Sequence, residues 1–205
     1  MLFIGITGGV GAGKSEILSF LEKNYNAKVM LTDEIAHDLM EPGTDCYKKL
    51  QELFADDAVF LPEGGFDRPA LAAVIFSNEA KRQALNDIVH PAVKQYVKEQ
   101  MDQHRQQEDL DLLVVEAALL IEEHYDEICD ELWYIYTTED NRRARLKASR
   151  GYSDEKIQNI FESQLPEEAY RKACRVVVDN NAAPEDAFTQ MREALAGKKI
   201  VPVSK

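Results

Sequence analysis

The chain reads as an α/β fold in which a five-stranded parallel sheet carries helices on both faces, with a helical insertion and a helical lid. Short, almost wholly apolar segments recur at residues 2–7, 28–31, 112–116, 132–136 and 175–179, as strands buried on both faces do. Amphipathic or charged stretches of helical period follow them, the alternation expected of βαβ units. Residues 46–107 keep a helical period almost throughout, with one short strand expected at 58–61.

In order, residues 2–7 (LFIGIT) run into a glycine cluster, and Ile17, Leu18, Phe20 and Leu21 then recur at helical spacing. This is strand, loop, helix. After the strand at 28–31, Thr32 is placed to cap a helix whose Ile35, Ala36, Leu39 and Met40 share one face, and Glu41-Pro42-Gly43 ends it. Within the insertion, Leu71, Val74 and Ile75, then Leu85, Ile88 and Val89, then Val93, Tyr96 and Val97 keep the period. A charged helical stretch is expected after each of the strands at 112–116 and 132–136. The last helix spans 184–196, with Pro184 at its start and Gly197 beyond its end. The whole is expected to be a single domain with its core in 1–43, 111–138 and 172–205, its insertion at 44–110 and its lid at 139–171.

With 37 acidic against 24 basic residues the net charge is −13, which argues against a partner in nucleic acid. Phosphates remain within reach wherever basic side chains cluster, because charge acts over a Debye length of about 8–10 Å. Cys46, Cys129 and Cys174 are odd in number and widely spaced, the pattern of reduced thiols in a cytoplasmic protein. His37, His90, His104 and His124 lack zinc-ligand spacing. The first residues have no basic segment of an export signal. The apolar run at 112–121 is broken by Glu116 and is too short for the roughly 20 residues of a membrane span.

Residues 8–15, GGVGAGKS, fit G-x-x-x-x-G-K-[ST] at every fixed position. The loop follows a buried strand and opens a helix, so its backbone N–H groups face phosphate oxygens. Gly9, Gly11, Ala12, Gly13, Lys14, Ser15 and the backbone of Glu16 are therefore expected to bind ATP, with Lys14 at the β- and γ-phosphates and Ser15 on Mg²⁺. This makes the fold one of P-loop NTPase type. No N-K-x-D base-reading motif is present, which weakens a GTPase reading and leaves a small-molecule kinase ahead of a nucleotide-gated switch.

Asp33 has two readings, a first-turn carboxylate favoured by the helix dipole or a group that orients and deprotonates an acceptor hydroxyl. Glu116 is either a solvated strand end or an acid beside the metal. Arg142, Arg143, Arg145, Lys147 and Arg150 cluster in an otherwise acidic chain. They form either a solvated helical face or a lid that closes over the transferred phosphoryl group.

These residues resemble the dephospho-coenzyme A kinase family over almost the whole chain. The resemblance rests on Thr7 to Ser15, on Asp33 with Ile35-Ala36 and Glu41-Pro42-Gly43, and on Phe66-Asp67-Arg68 with Leu71, Ile75-Phe76, Leu85-Asn86 and His90-Pro91. Leu119-Leu120 with Glu122, Gln164 and Val178-Asp179-Asn180-Asn181 extend it. Glu16 stands where the family usually has Thr. The resemblance implies transfer of the ATP γ-phosphate to the 3′-hydroxyl of dephospho-coenzyme A, with Mg²⁺. It implies a catalytic role for Asp33, Lys14 and the lid arginines, among which Arg142 and Arg145 are expected at the phosphoryl group and Arg150 with ATP. It places Asn180 beside the adenine and Arg68, Phe76 and His90, with Asp33, on the acceptor side. Read from the residues alone, Arg68 could pair with surface acids and His90 could cap a helix break before Pro91.

Overall fold

The computed structural model describes residues 1–203, and the chain separates into two compact units. One is formed by Met1–Met30 and the chain from Met101 onward, the other by Leu31–Gln100. This division falls some way from the 44–110 boundaries expected of the insertion.

The first unit is built on the sheet. β1 (Leu2–Thr7), β2 (Ala27–Leu31), β3 (Leu112–Glu116), β4 (Glu131–Tyr136) and β5 (Val176–Asp179) stand in the order β2-β3-β1-β4-β5, a five-stranded parallel sheet. All five expected strands are present, shifted by at most one residue at their starts. Phe3, Ile4 and Ile6 of β1 and Leu112 to Val115 of β3 are fully buried, which is why both strands read as unbroken apolar runs rather than as alternation. Five helices belong wholly to this unit: α1 (Lys14–Asn24), α6 (Glu139–Arg150), α7 (Asp154–Glu162), α8 (Glu167–Ala173) and α9 (Pro184–Ala196). Their starts are set locally. Thr138 and Ser153 accept N-cap hydrogen bonds from Asn141 and Lys156, Pro184 opens α9, and Gly151 ends α6 in the left-handed region.

The charged helical stretch expected after β3 does not form. Residues 118–124 are turns, followed by a short 3₁₀ helix at Tyr125–Glu127. The buried side chain of Leu120 anchors this connection over Gly5 of β1, where a Cβ would lie 3.0 Å from the Leu120 methyls. That close approach ties the segment to the sheet at its middle.

The second unit holds α2 (Thr32–Leu39), α3 (Asp45–Leu53), α4 (Arg68–Ser77) and most of α5 (Glu79–Gln107). Leu31 is the N-cap of α2, so Thr32 is its first helical residue rather than its cap. Thr44 and Asp67 cap α3 and α4 by accepting from the backbone N–H groups of Tyr47 and Ala70. The strand expected at 58–61 is reduced to one antiparallel bridge, Phe60 to Phe66. Those rings pack 4.8 Å apart with Tyr47 and Phe54 edge-on to Phe66, so aromatic clustering organises this segment in place of a sheet. α5 runs through Pro91 without interruption, and His90 caps no break. No helix among the described residues is long and apolar enough to cross a membrane.

One buried charge secures the far end of β4. Glu131 accepts from Trp133 Nε1 at 3.1 Å and pairs with Lys198 and, at 3.3 Å, with Arg175. Burial alone would raise its carboxyl, but hydrogen bonds from Lys198 and Trp133 and the charges of Lys198 and Arg175 outweigh that and hold it below its usual value. A carboxyl lowered in the fold stabilises above the unfolded value of 4.5 and loses that contribution as pH falls through its folded value. Glu131→Gln is accordingly expected to cost about 1–3 kcal/mol at pH 7. Denaturant melts should show the gap to wild type closing as the pH is taken below 4.5. A gap that stays constant into acid would contradict the assignment.

Candidate active site

Four chain segments converge on one edge of the sheet. The register sets Ile6 beside Glu116, Thr7 beside Tyr134 and Tyr136 beside Asp179. The carboxyl ends of β1, β3, β4 and β5 thus present the 8–13 loop, Glu116, Thr137 and Asn180 together. This is where the strand order reverses on either side of β1, the place at which open α/β sheets bind ligands.

The loop owes its shape to glycine at two positions. Gly13 has φ 87° and Gly11 φ 85°, left-handed values that L side chains rarely adopt. A Cβ on Gly13 would also meet the Asn180 amide nitrogen at 2.5 Å, and one on Gly9 would fall within the Arg142 guanidinium. Lys14 Nζ donates to the Gly8 carbonyl at 2.7 Å and lies 3.4 Å from the Glu116 carboxylate. Ser15 and Glu16 are exposed on the first turn of α1, where the helix N–H groups have no partner within the helix.

The five basic residues of α6 divide by face. Arg142 Nε donates to Val10 O at 2.9 Å, its terminal nitrogen bonds Gln164, and its guanidinium lies 4.2 Å from the Phe161 ring centroid. Arg145 donates to Ala12 O at 3.2 Å and to Asn180 O at 2.7 Å. These two reach the loop. Arg143 and Lys147 instead pair with Asp154 at 3.2 and 2.7 Å, fastening α6 to α7, and the exposed Arg150 sits 5.9 Å from the Tyr152 ring. Burial lowers the Arg142 pKa from its ordinary value, while the nearby Tyr134, Tyr170 and Glu139 push the other way. Leu146, Ile157 and Phe161 form the apolar seam that fixes which face of α6 meets the loop, with Val10 packed against it.

Asn180 is buried and donates its side-chain amide to Ala12 O at 2.8 Å. Thr137, also buried, reaches the same oxygen at 3.1 Å. A threonine at a strand end carries no motif, so nothing in the sequence points to this contact. Phe161 was likewise invisible, its apolar spacing being that of any core residue.

In the second unit, Asp33 is exposed on the first turn of α2, and His37 lies one turn further on, the i,i+4 neighbour on the same face. His37, Met40, Glu41, Phe66, Arg68, Leu71, Ala72, Ile75 and Leu85 line a pocket of about 250 Å³. Arg68 pairs with Glu41 at 3.5 Å across its exposed rim. The pairing with a surface acid and the position on a pocket thus hold together. Phe76 is 83% exposed at the end of α4, and His90 is half-buried on α5, outside the pocket lining.

A phosphate loop between a central parallel strand and a helix, with Lys14 on it and Arg142 and Arg145 of α6 docked against it, defines a P-loop kinase. The model of the dephospho-CoA kinase family matches residues 2–186, and the chain belongs to that family. It is 33% identical over 193 residues to a dephospho-CoA kinase of Shouchella clausii, covering 94% of this chain and 96% of the relative. It is 32% identical over 196 residues to that of Geobacter sulfurreducens, covering 96% and 98%. Among solved structures, TT1252 from Thermus thermophilus superimposes with a TM-score of 0.76 at 28% identity, covering 96% of this chain and 97% of that one. The dephospho-CoA kinase of Campylobacter jejuni gives 0.69 at 20% identity over 96% of each chain. A shikimate kinase from Acinetobacter baumannii, at 0.52 and 13% identity over 97% and 95%, shares the fold.

Proposed function

We propose that this chain transfers the γ-phosphoryl group of ATP to the 3′-hydroxyl of dephospho-CoA, giving CoA and ADP. The observation that carries the reading is the docking of Arg142 and Arg145 on the phosphate loop, in a chain that matches its family from residue 2 to residue 186.

Lys14 sits where an ammonium can reach the β- and γ-phosphates, between Gly8 O and Glu116. The loop N–H groups and the start of α1 take the remaining phosphate charge. Arg142 and Arg145 offset the negative charge that builds on the transferred group, and the lid that carries them keeps water away. Arg150 and Asn180 are assigned to the nucleotide side. Asp33 accepts a hydrogen bond from the acceptor hydroxyl, orients the oxygen and takes its proton.

Among the described residues no group of three or more His, Cys, Asp or Glu side chains could hold a metal ion. Mg²⁺ in kinases needs no such cage, since it keeps several waters and binds phosphate oxygens with one or two protein ligands. The exposed hydroxyl of Ser15 fits that requirement as a ligand, and the carboxylate of Glu116, paired with Lys14 at 3.4 Å, would stand beside the ion rather than on it. When bound, the ion neutralises phosphate charge. The pocket beside Arg68 supplies apolar walls from Phe66, Leu71 and Ile75, suited to the acceptor's long arm, with Phe76 adding an exposed ring. His90 is kept on the acceptor side on the family resemblance. The three cysteines are free and buried, which supports a reducing, cytoplasmic setting.

The test is ADP release from Mg·ATP with dephospho-CoA, adenosine, AMP, shikimate or no acceptor. Stimulation by dephospho-CoA alone is expected. Stimulation by another acceptor instead would move the chain's activity elsewhere within the P-loop kinases.

A further inference from the structure

A loop that binds anions through its N–H groups must turn the matching carbonyls away. The C=O and N–H of one planar trans peptide point in opposite directions, so an N–H aimed at phosphate sends the preceding carbonyl into the protein. There the carbonyl must find a donor. The Gly13 N–H shares its peptide with the carbonyl of Ala12, a residue only 1% exposed.

Three donors converge on that one oxygen: Asn180 Nδ2 at 2.8 Å, Thr137 Oγ1 at 3.1 Å and Arg145 at 3.2 Å. The Thr137 hydroxyl has one proton and two carbonyls in reach, Ala12 at 3.1 Å and Asn180 at 3.3 Å, and the nearer is Ala12. Its oxygen accepts in turn from Arg145 at 3.5 Å, giving a hydrogen-bond chain that runs from Arg145 through Thr137 to Ala12. Thr137 and Asn180 are each 4% exposed, so water does not substitute for them.

Two other loop carbonyls are held by different parts. Val10 O takes Arg142 from α6 and Gly8 O takes Lys14. Thr137 and Asn180 instead follow directly on β4 and β5, inside the sheet's own framework. Asn180 also fills the space a Cβ on Gly13 would need.

We propose that Thr137 and Asn180 are positioning residues that pin the Ala12 carbonyl and thereby aim the Gly13 N–H at the nucleotide phosphates. The inference rests on the phosphate loop being the ATP site and concerns the nucleotide half of the reaction alone. Calorimetric ADP binding tests it with Thr137→Val, which keeps the shape and loses the donor, and Thr137→Ser, which keeps the donor. T137V is expected to bind ADP about three- to tenfold more weakly, to raise KM for ATP in step and to leave KM for dephospho-CoA unchanged, while T137S binds within about twofold of wild type. T137A against T137S repeats the comparison if valine is poorly tolerated. Equal ADP affinity in T137V and wild type overturns the proposal. So does an equal loss in T137V and T137S, which traces to packing rather than to the hydroxyl. Failure of the kinase reading looks different: the wild-type protein itself would bind no ADP or turn over no dephospho-CoA.

Discussion

Replacing Lys14 by alanine is expected to lower kcat by roughly 10²–10³, the cost of removing one preorganised positive donor from a charge-developing site. The ammonium donates to Gly8 O at 2.7 Å and lies 3.4 Å from the Glu116 carboxylate, so two partners fix its place on the loop. KM for ATP should rise as well, because the same charge contacts the phosphates in the ground state. The fold should survive, since both partners keep other support, Gly8 in the loop and Glu116 at the half-buried end of β3. Far-ultraviolet circular dichroism and steady-state turnover check the two halves. A variant with intact spectrum and near-normal kcat would remove Lys14 from the chemistry.

The second large effect is expected at Asp33. Asp33→Asn keeps the size and first-turn position but cannot take a proton, and loss of a general base costs about 10²–10⁴ in rate. KM for ATP should hardly change, because the proposed partner of Asp33 is the acceptor hydroxyl. The comparison that decides is turnover with dephospho-CoA against slow ATP hydrolysis without it. A fall confined to the first supports the acceptor role. If Asp33→Asn turns over dephospho-CoA at the wild-type rate, the carboxylate serves only the helix dipole of α2.

The phosphate loop was legible because its chemistry is local: glycines for the turn, a lysine and a hydroxyl at fixed offsets, with a buried strand before and an amphipathic helix after. The strands were legible for a related reason, since burial on both faces leaves β1 and β3 no polar alternation to confuse. The arginines of α6 were legible as a cluster. Helical spacing already pairs Arg142 with Arg145 and Arg143 with Lys147, but only packing of Leu146 against Ile157 and Phe161 decides which pair faces the loop. Pro91 misled because a proline removes one helix hydrogen bond, a cost that the long α5 absorbs. The turns after β3 were missed for want of any sign that Leu120 docks on Gly5. Thr137 lay beyond reach altogether, since its function is to meet a carbonyl distant in sequence.

The most direct measurement is the structure of the product formed from Mg·ATP and dephospho-CoA by the intact protein. Mass spectrometry should show a gain of one phosphoryl group, and phosphorus nuclear magnetic resonance a new monoester coupled to the ribose H3′ proton. A product phosphorylated elsewhere, or ADP release with dephospho-CoA recovered unchanged, would contradict the transfer to the 3′-hydroxyl.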